Sequence, residues 1–239
     1  MFLSGINFSL LFAALRRNLK TVWRSEELRC YTVTTMVASG LIVVDLVVRA
    51  GRMLNLDTVT DVVFQMVTLM TTTGYMTDDY VLWPAFSQIV LIIVMLMGGC
   101  AGSTAGGIKH VRAVLLGKSL VRDLRRILHP RQVTTIKCDG ERVSEQILSG
   151  IAVFFFTYIL LLMAGTLIVA WDGVDFITAF GASLTCLSNV GPGFGTMGPT
   201  GNFSALSDVS TVVLTLNMLL GRLEIMPLLL LLFPGLWKK

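Results

Sequence analysis

Charge is scarce in this sequence. Only 14% of its 239 residues are Asp, Glu, Lys or Arg, against 54% hydrophobic, where a soluble domain carries about 25% charged residues. That balance excludes a soluble globular protein and a disordered chain. Cysteine is sparse too: Cys30, Cys100, Cys138 and Cys186 lie far apart with no C-x-x-C pair, which excludes a disulfide framework and predicts no zinc site. The two histidines, His110 and His129, both fall in a basic stretch and are expected to be solvated. No paired acid and base or metal set lies within the apolar spans, so the chain does not read as an enzyme. The opening run, MFLSGINFSLLFAALRR, lacks the basic residue that precedes the apolar part of a signal peptide. A multi-pass membrane protein surrounded by lipid is what remains.

The charges that are present are clustered. Sixteen of the nineteen Lys and Arg residues fall at 16–29, 109–142 and 238–239. Basic blocks between apolar spans mark cytoplasmic loops rather than a nucleic-acid surface. The opposite side leans acidic, with Asp57, Asp61, Asp78, Asp79, Asp172, Asp175 and Asp208 against Arg49 and Arg52. A field of that sign attracts cations.

Between these blocks the hydropathy pattern repeats. Residues 31–48 form a full span. Residues 59–70 are too short to cross about 30 Å of hydrocarbon, and they end in Thr71-Thr72-Thr73-Gly74-Tyr75. Residues 84–97 are expected to be helical and 98–107 not, since Gly98, Gly99, Gly102, Gly106 and Gly107 each cost a helix up to about 1 kcal/mol relative to alanine. A basic connector follows, with an amphipathic helix predicted near Lys118–Leu128 and a break at Pro130. Then the order recurs: a span at 146–170, a short stretch at 174–187 ending in Ser188-Asn189-Val190-Gly191-Pro192-Gly193, and a last long helix at 205–233. Gly74 and Gly191 are 117 residues apart, the signature of a duplicated unit.

Short apolar helices that end in polar, glycine-bearing loops are the informative feature. Non-helical backbone at membrane depth survives only when buried in protein or lining a watery cavity. A half-helix entering from outside points its partly negative C-terminus at the membrane centre. Carbonyls beyond it can replace the water around a dehydrated cation. One such loop alone reads equally well as a tight turn; two in matching positions favour the cation reading.

The motifs TTTGY at 71–75, GGCAGSTAGGIK at 98–109, SNVGPG at 188–193 and GRLE at 221–224 together resemble the Trk/Ktr/HKT superfamily of potassium transporters, in its TrkH/TrkG branch. The resemblance implies an all-α integral membrane fold of two tandem helix–pore-helix–helix (M1–P–M2) units with re-entrant filter loops, half of a pseudo-fourfold channel. Residues 1–29 would be the tail of a preceding helix and its connector, 30–117 the family's third unit, 118–143 a cytoplasmic connector and 144–239 the fourth unit. By the same resemblance Thr72, Thr73 and Gly74 form one potassium filter strand and Asn189, Val190 and Gly191 another. Glycine at both positions fits a potassium-selective member. The loop bearing Gly98, Gly99, Gly102, Ser103, Thr104, Gly106 and Gly107 would be the gate. The resemblance implies K⁺ as the transported ion, and no organic cofactor is expected. Implied partners are the missing N-terminal half or a second copy, a homodimeric complete protein, and a cytosolic nucleotide-binding ring of the RCK type. The implied location is the bacterial inner membrane. A complete member is about twice this length, so the chain is expected to be a fragment.

Arg222 lies 17 residues into the last span, too deep to snorkel easily, and needs acceptors. The carbonyls of loop 98–107 are the expected ones, with Glu224 facing away. The resemblance puts a positive barrier to cations there; a cation capping a neighbouring helix is the alternative. Asp45 and Arg49, spaced i and i+4, are expected to form a structural pair rather than a proton relay. The methionines and Phe154–Phe156 read as lipid-facing or packed surface. The competing function is a secondary transporter of another monovalent cation or a small solute.

Overall fold

The structure, a computed structural model, describes residues 1–129 and 135–231. Pro130, Arg131 and the basic end Lys238–Lys239 lie outside the described residues. The chain is predominantly helical. A 3₁₀ turn at Phe2–Gly5 leads into α1 (Phe8–Leu15), α2 (Leu19–Arg24), α3 (Glu26–Val48), α4 (Leu56–Met70), α5 (Ala85–Met97) and α6 (His110–Leu128). A two-residue hairpin pairs β1 (Lys137–Cys138) with β2 (Glu141–Arg142). Then come α7 (Glu145–Ala170), α8 (Phe176–Ser188), α9 (Asp208–Arg222) and α10 (Ile225–Leu231). By length and composition α3 and α7 are able to cross a membrane. The four cysteines are free thiols.

The duplication shows in the capping chemistry. Ser25 and Ser144 cap the long helices α3 and α7. The short helices α4 and α8 both start with an Asx cap that binds a threonine three residues on, Asn55 with Thr58 and Asp175 with Thr178. The main core cluster joins the two halves: Leu69, Leu91 and Met95 pack with Tyr158, Leu162, Leu184 and Leu187.

Helix α3 supplies caps to its neighbours. Pro84 and Lys109 give no side-chain cap to α5 and α6. Asp45 accepts from the amide and hydroxyl of Ser87 in the first turn of α5 and pairs with Arg49 at 3.3 Å. Glu27 accepts from Val111 N–H in the first turn of α6 and from Ala101 N–H. Eighteen residues are five helical turns, so both acids stand on one face of α3 and hold a broken helix at two heights. The Asp45–Arg49 pair is therefore structural, as expected.

Five expectations are corrected. The last helix is not continuous over 205–233: it stops at Arg222, Glu224 turns to φ +58°, and α10 begins at Ile225. Pro227 has no N–H and its ring would strike the carbonyl of Leu223, which forces the break just upstream. The connector helix starts at His110, eight residues before Lys118. His110 is fully buried against Tyr31, not solvated; His129 is exposed. The chain at 5–15 is also no single helical tail, since Asn7 caps a new start at Phe8. Of the Phe run, Phe154 is buried and Phe156 exposed, and Met66, Met70, Met95 and Met197 are core residues rather than surface.

Candidate functional site

Helices α4 and α8 end in the same way. One residue at each end swings into the left-handed region: Thr72, just past the C-cap of α4, at φ +53°, and Asn189, the C-cap of α8, at φ +58°. The next amide then reaches back five residues, Thr73 N–H to Thr68 O at 2.9 Å and Val190 N–H to Thr185 O at 3.0 Å. Gly74 and Gly191 follow at φ +80° and +119°, where a side chain is strained. Position for position the two loops are 117 residues apart.

The loops meet. A Cβ on Gly74 would overlap the carbonyl oxygen of Val190, so the two strands lie side by side because residue 74 is glycine. Among the described residues, no hydrogen-bond donor reaches the carbonyl oxygens of Thr72, Thr73, Gly74, Asn189, Val190 or Gly191. Unpaired main-chain oxygens in a partly buried place are costly unless something electropositive satisfies them.

Each loop has its own support. Thr71 donates its one hydroxyl proton to Val67 O at 2.7 Å, so Thr73 is the donor in their 2.8 Å contact. In the other loop Thr185 Oγ1 accepts from Gly191 N–H at 3.0 Å, and the Asn189 amide donates to Met218 O of α9 at 3.1 Å. Tyr80, fully buried, donates to Gly193 O at 2.7 Å and packs on Phe194. Tyr80 sits beside Asp78, which binds Arg52 at 2.6 Å and the Trp83 indole at 3.0 Å, while Gln65 holds the Asp78 carbonyl. Burial lifts the Asp78 pKa, but Arg52, the indole and the Asp79 amide outweigh it and hold it below the usual carboxylate range.

The glycine-rich segment 98–107 leaves α5 and returns to the same place. Ile108 and Lys109 N–H bond the Leu96 and Met97 carbonyls at 3.0 and 2.9 Å. The ends touch, because Cβ atoms on Gly98 and Gly107 would crowd one another's backbone. Gly106 packs on Ser188 O where a Cβ would overlap it, and donates its N–H to Thr72 Oγ1 at 3.1 Å. Residues 4–8 grip the far side: Cys100 N–H bonds Gly5 O, and Phe8 N–H bonds Gly102 O.

The GRLE motif divides its work. Gly221 lets α9 touch Leu187 O, where a Cβ would overlap it. Arg222 Nη1 donates to Thr104 O at 2.9 Å, the loop carbonyl anticipated from the sequence. Glu224 binds Lys109 at 2.9 Å and Arg112 at 2.8 Å. A cavity of about 210 Å³ lies among Thr104, Gly106, Lys109, Phe154, Arg222 and Glu224. Further along α6, Lys118 pairs with Glu26 and Arg122 with Glu145 at 2.6 Å, tying the connector to the starts of α3 and α7. Glu26, Cys138 and Asp139 also bring ligand atoms together there, but the Lys118 ammonium already occupies Glu26.

The sequence-derived residues Thr72–Gly74, Asn189–Gly191, the 98–107 loop and Arg222 therefore converge. Sequence reading passed over Glu27, Tyr80 and the ion pairs of Glu224. Glu27 gave no signal, because it lies among the charged residues that precede the 31–48 span; Tyr80 carries none either, because its partner is a backbone carbonyl 113 residues away.

The chain is thus helical, with two helices long and apolar enough to cross a membrane and paired glycine loops set against a third glycine-rich loop. The family model described as TrkH, a cation transport protein, matches residues 1–237, and the chain belongs to that family. The Trk system potassium uptake protein TrkH of Salmonella typhimurium is 36% identical over 242 residues, covering 100% of this chain and 49% of that protein. TrkG of Escherichia coli, also a Trk system potassium uptake protein, is 31% identical over 239 residues, covering 99% of this chain and 48% of TrkG. The crystal structure of the potassium transporter TrkH from Vibrio parahaemolyticus superposes with a TM-score of 0.90 at 34% identity, over 99% of this chain and 51% of that one. The chain thus spans about half the length of the curated relatives it matches.

Proposed function

We propose that the chain forms one half of a potassium uptake pathway in the bacterial inner membrane. Residues 30–117 and 144–239 act as two M1–P–M2 units, with 1–29 as the incoming tail and 118–143 as the cytoplasmic connector. Thr72, Thr73 and Gly74 with Asn189, Val190 and Gly191 are two filter strands. Their oxygens replace the hydration shell of K⁺ as it passes, driven by membrane potential, and no covalent chemistry is involved. Segment 98–107 is the gate on the cytoplasmic side of the filter, and Arg222, bonded to it, adds a positive barrier. The missing half supplies the other two strands, the complete protein pairs as a homodimer, and the basic face of α6, with Arg125 and Arg126, receives an RCK-type ring that moves the gate.

The observation that carries this reading is the contact of the two loops. Two left-handed helix ends bring unbonded carbonyls side by side, with Gly74 seated on Val190 O. A potassium-uptake-deficient bacterium expressing this chain together with the N-terminal half of a TrkH relative should regain growth on low potassium, and neither half should suffice alone. Well-expressed halves that assemble but restore nothing would sink the proposal. Rescue by a small organic solute pathway instead would favour the secondary-transporter reading.

A further inference from the structure

Thr72 has two claims on it. It is the first residue of the proposed filter strand, and its hydroxyl oxygen is the acceptor for Gly106 N–H of the proposed gate. No other hydrogen bond between a filter side chain and the 98–107 segment exists among the described residues. The neighbouring hydroxyl of Thr73 is committed to Thr71 instead. The same glycine is buried and rests on Ser188 O, at the root of the second strand. One residue of the loop thereby touches both filter strands, while Arg222 holds the loop two residues earlier at Thr104 O.

An amide dipole aimed at an oxygen presents its positive end to whatever approaches that oxygen. A cation using Thr72 Oγ1 would stand within a few ångströms of the Gly106 proton, and at that range in a desolvated site the two repel. We infer that the Thr72 hydroxyl is a shared ligand, bonded to Gly106 N–H when the loop is in place and released to K⁺ when the loop withdraws, so that potassium at this end of the filter and the seated loop oppose one another. Linkage makes the effect reciprocal. Potassium loosens the loop to the same degree that the loop weakens potassium. The inference rests on the filter reading and adds a function that reading lacks: the transported ion biases its own gate.

The test uses the complete two-half protein in liposomes. Thr104→Cys reports loop release through its rate of modification by a water-soluble thiol reagent, with the four native cysteines replaced by serine. Potassium should speed modification about two- to tenfold over N-methylglucamine, the range set by one hydrogen bond. Thr72→Ser keeps the hydroxyl and should preserve that ratio. Thr72→Val removes the acceptor and should bring it to one, with modification fast in either cation. Gly106→Ala approaches from the other partner: its Cβ unseats the loop from Ser188 O while leaving the hydroxyl, so it too should be fast and potassium-independent. K⁺-selective flux in the parent protein combined with an undiminished potassium effect in Thr72→Val would overturn the shared-ligand inference and leave the filter reading standing. No K⁺-selective flux in the parent would overturn both.

Discussion

The two filter loops are the same backbone device supported by different means. Both are built from a left-handed turn and an amide that reaches back five residues to a threonine carbonyl, Thr68 in one and Thr185 in the other. The loop at 71–75 is held by hydroxyls and by the glycine-rich segment, through Thr71, Thr73 and Gly106. The loop at 188–193 is held by the Asn189 amide on α9 and by Tyr80, which reaches across from the first unit. The first strand is therefore hydrogen-bonded to the segment proposed to move, while the second only packs against it, at Ser188 O, and takes its hydrogen bonds from α9 and Tyr80. Duplication preserved the shape and let the attachments diverge.

The largest difference between the loops should appear at their glycines. At Gly74 a new side chain meets both a left-handed backbone and the Val190 oxygen, whereas at Gly191 it meets a left-handed backbone and open space. The conformational part costs about 1–2 kcal/mol at either position; the steric overlap adds to it only at Gly74. Gly74→Ala should abolish rubidium uptake by the complete protein, and Gly191→Ala should leave a measurable remnant with a poorer K⁺ over Na⁺ ratio. Equal loss at the two sites would mean that the contact between strands does not set their geometry.

Next in size is the brace across the units. Tyr80→Phe keeps the ring on Phe194 and deletes only the hydroxyl bonded to Gly193 O, leaving a buried carbonyl without its donor at a cost of about 1–3 kcal/mol. Selectivity should fall several-fold while the amount of folded protein, read by gel filtration, changes little. A matching substitution on the other loop, Thr71→Val, should affect uptake less, because the Thr73 N–H bond to Thr68 O persists. The reverse order would show that the first loop is the more delicately held.

These differences mark what was legible beforehand. Hydropathy and spacing located both loops, the glycine-rich break and the partner of Arg222, because each depends on residues close in sequence or on one costly charge. Pro227 was visible in the sequence, but the place of the break at Glu224 was missed because the cations that hold Glu224, Lys109 just before α6 and Arg112 within it, come near only in the folded chain. His110 looked solvated because its sequence neighbours are basic, yet α3 covers it, with Tyr31 against its ring. Tyr80 was invisible for the same reason: one hydroxyl meeting one distant carbonyl leaves no periodic trace.

The smallest effect expected is electrostatic, and it concerns the ground on which Tyr80 stands. Asp78 is held below its ordinary pKa by Arg52, Trp83 and the Asp79 amide, against the opposing pull of burial. A carboxylate with a depressed folded pKa stabilises the protein above its unfolded value, about 3.9, and that contribution disappears as pH falls through the lowered folded value. From pH 7 down to about 5 it is fully present, so Asp78→Asn should lower thermal stability by about 1 kcal/mol there, a size suited to a half-exposed ion pair. Once the pH has fallen below the lowered folded pKa, the parent carboxyl also takes up a proton, and the two proteins should converge. The K⁺ over Na⁺ ratio should follow the same profile if Asp78 steadies the second loop through Tyr80. A selectivity loss in Asp78→Asn that persists unchanged into acid would place the role of Asp78 in the vestibule field and not in the brace.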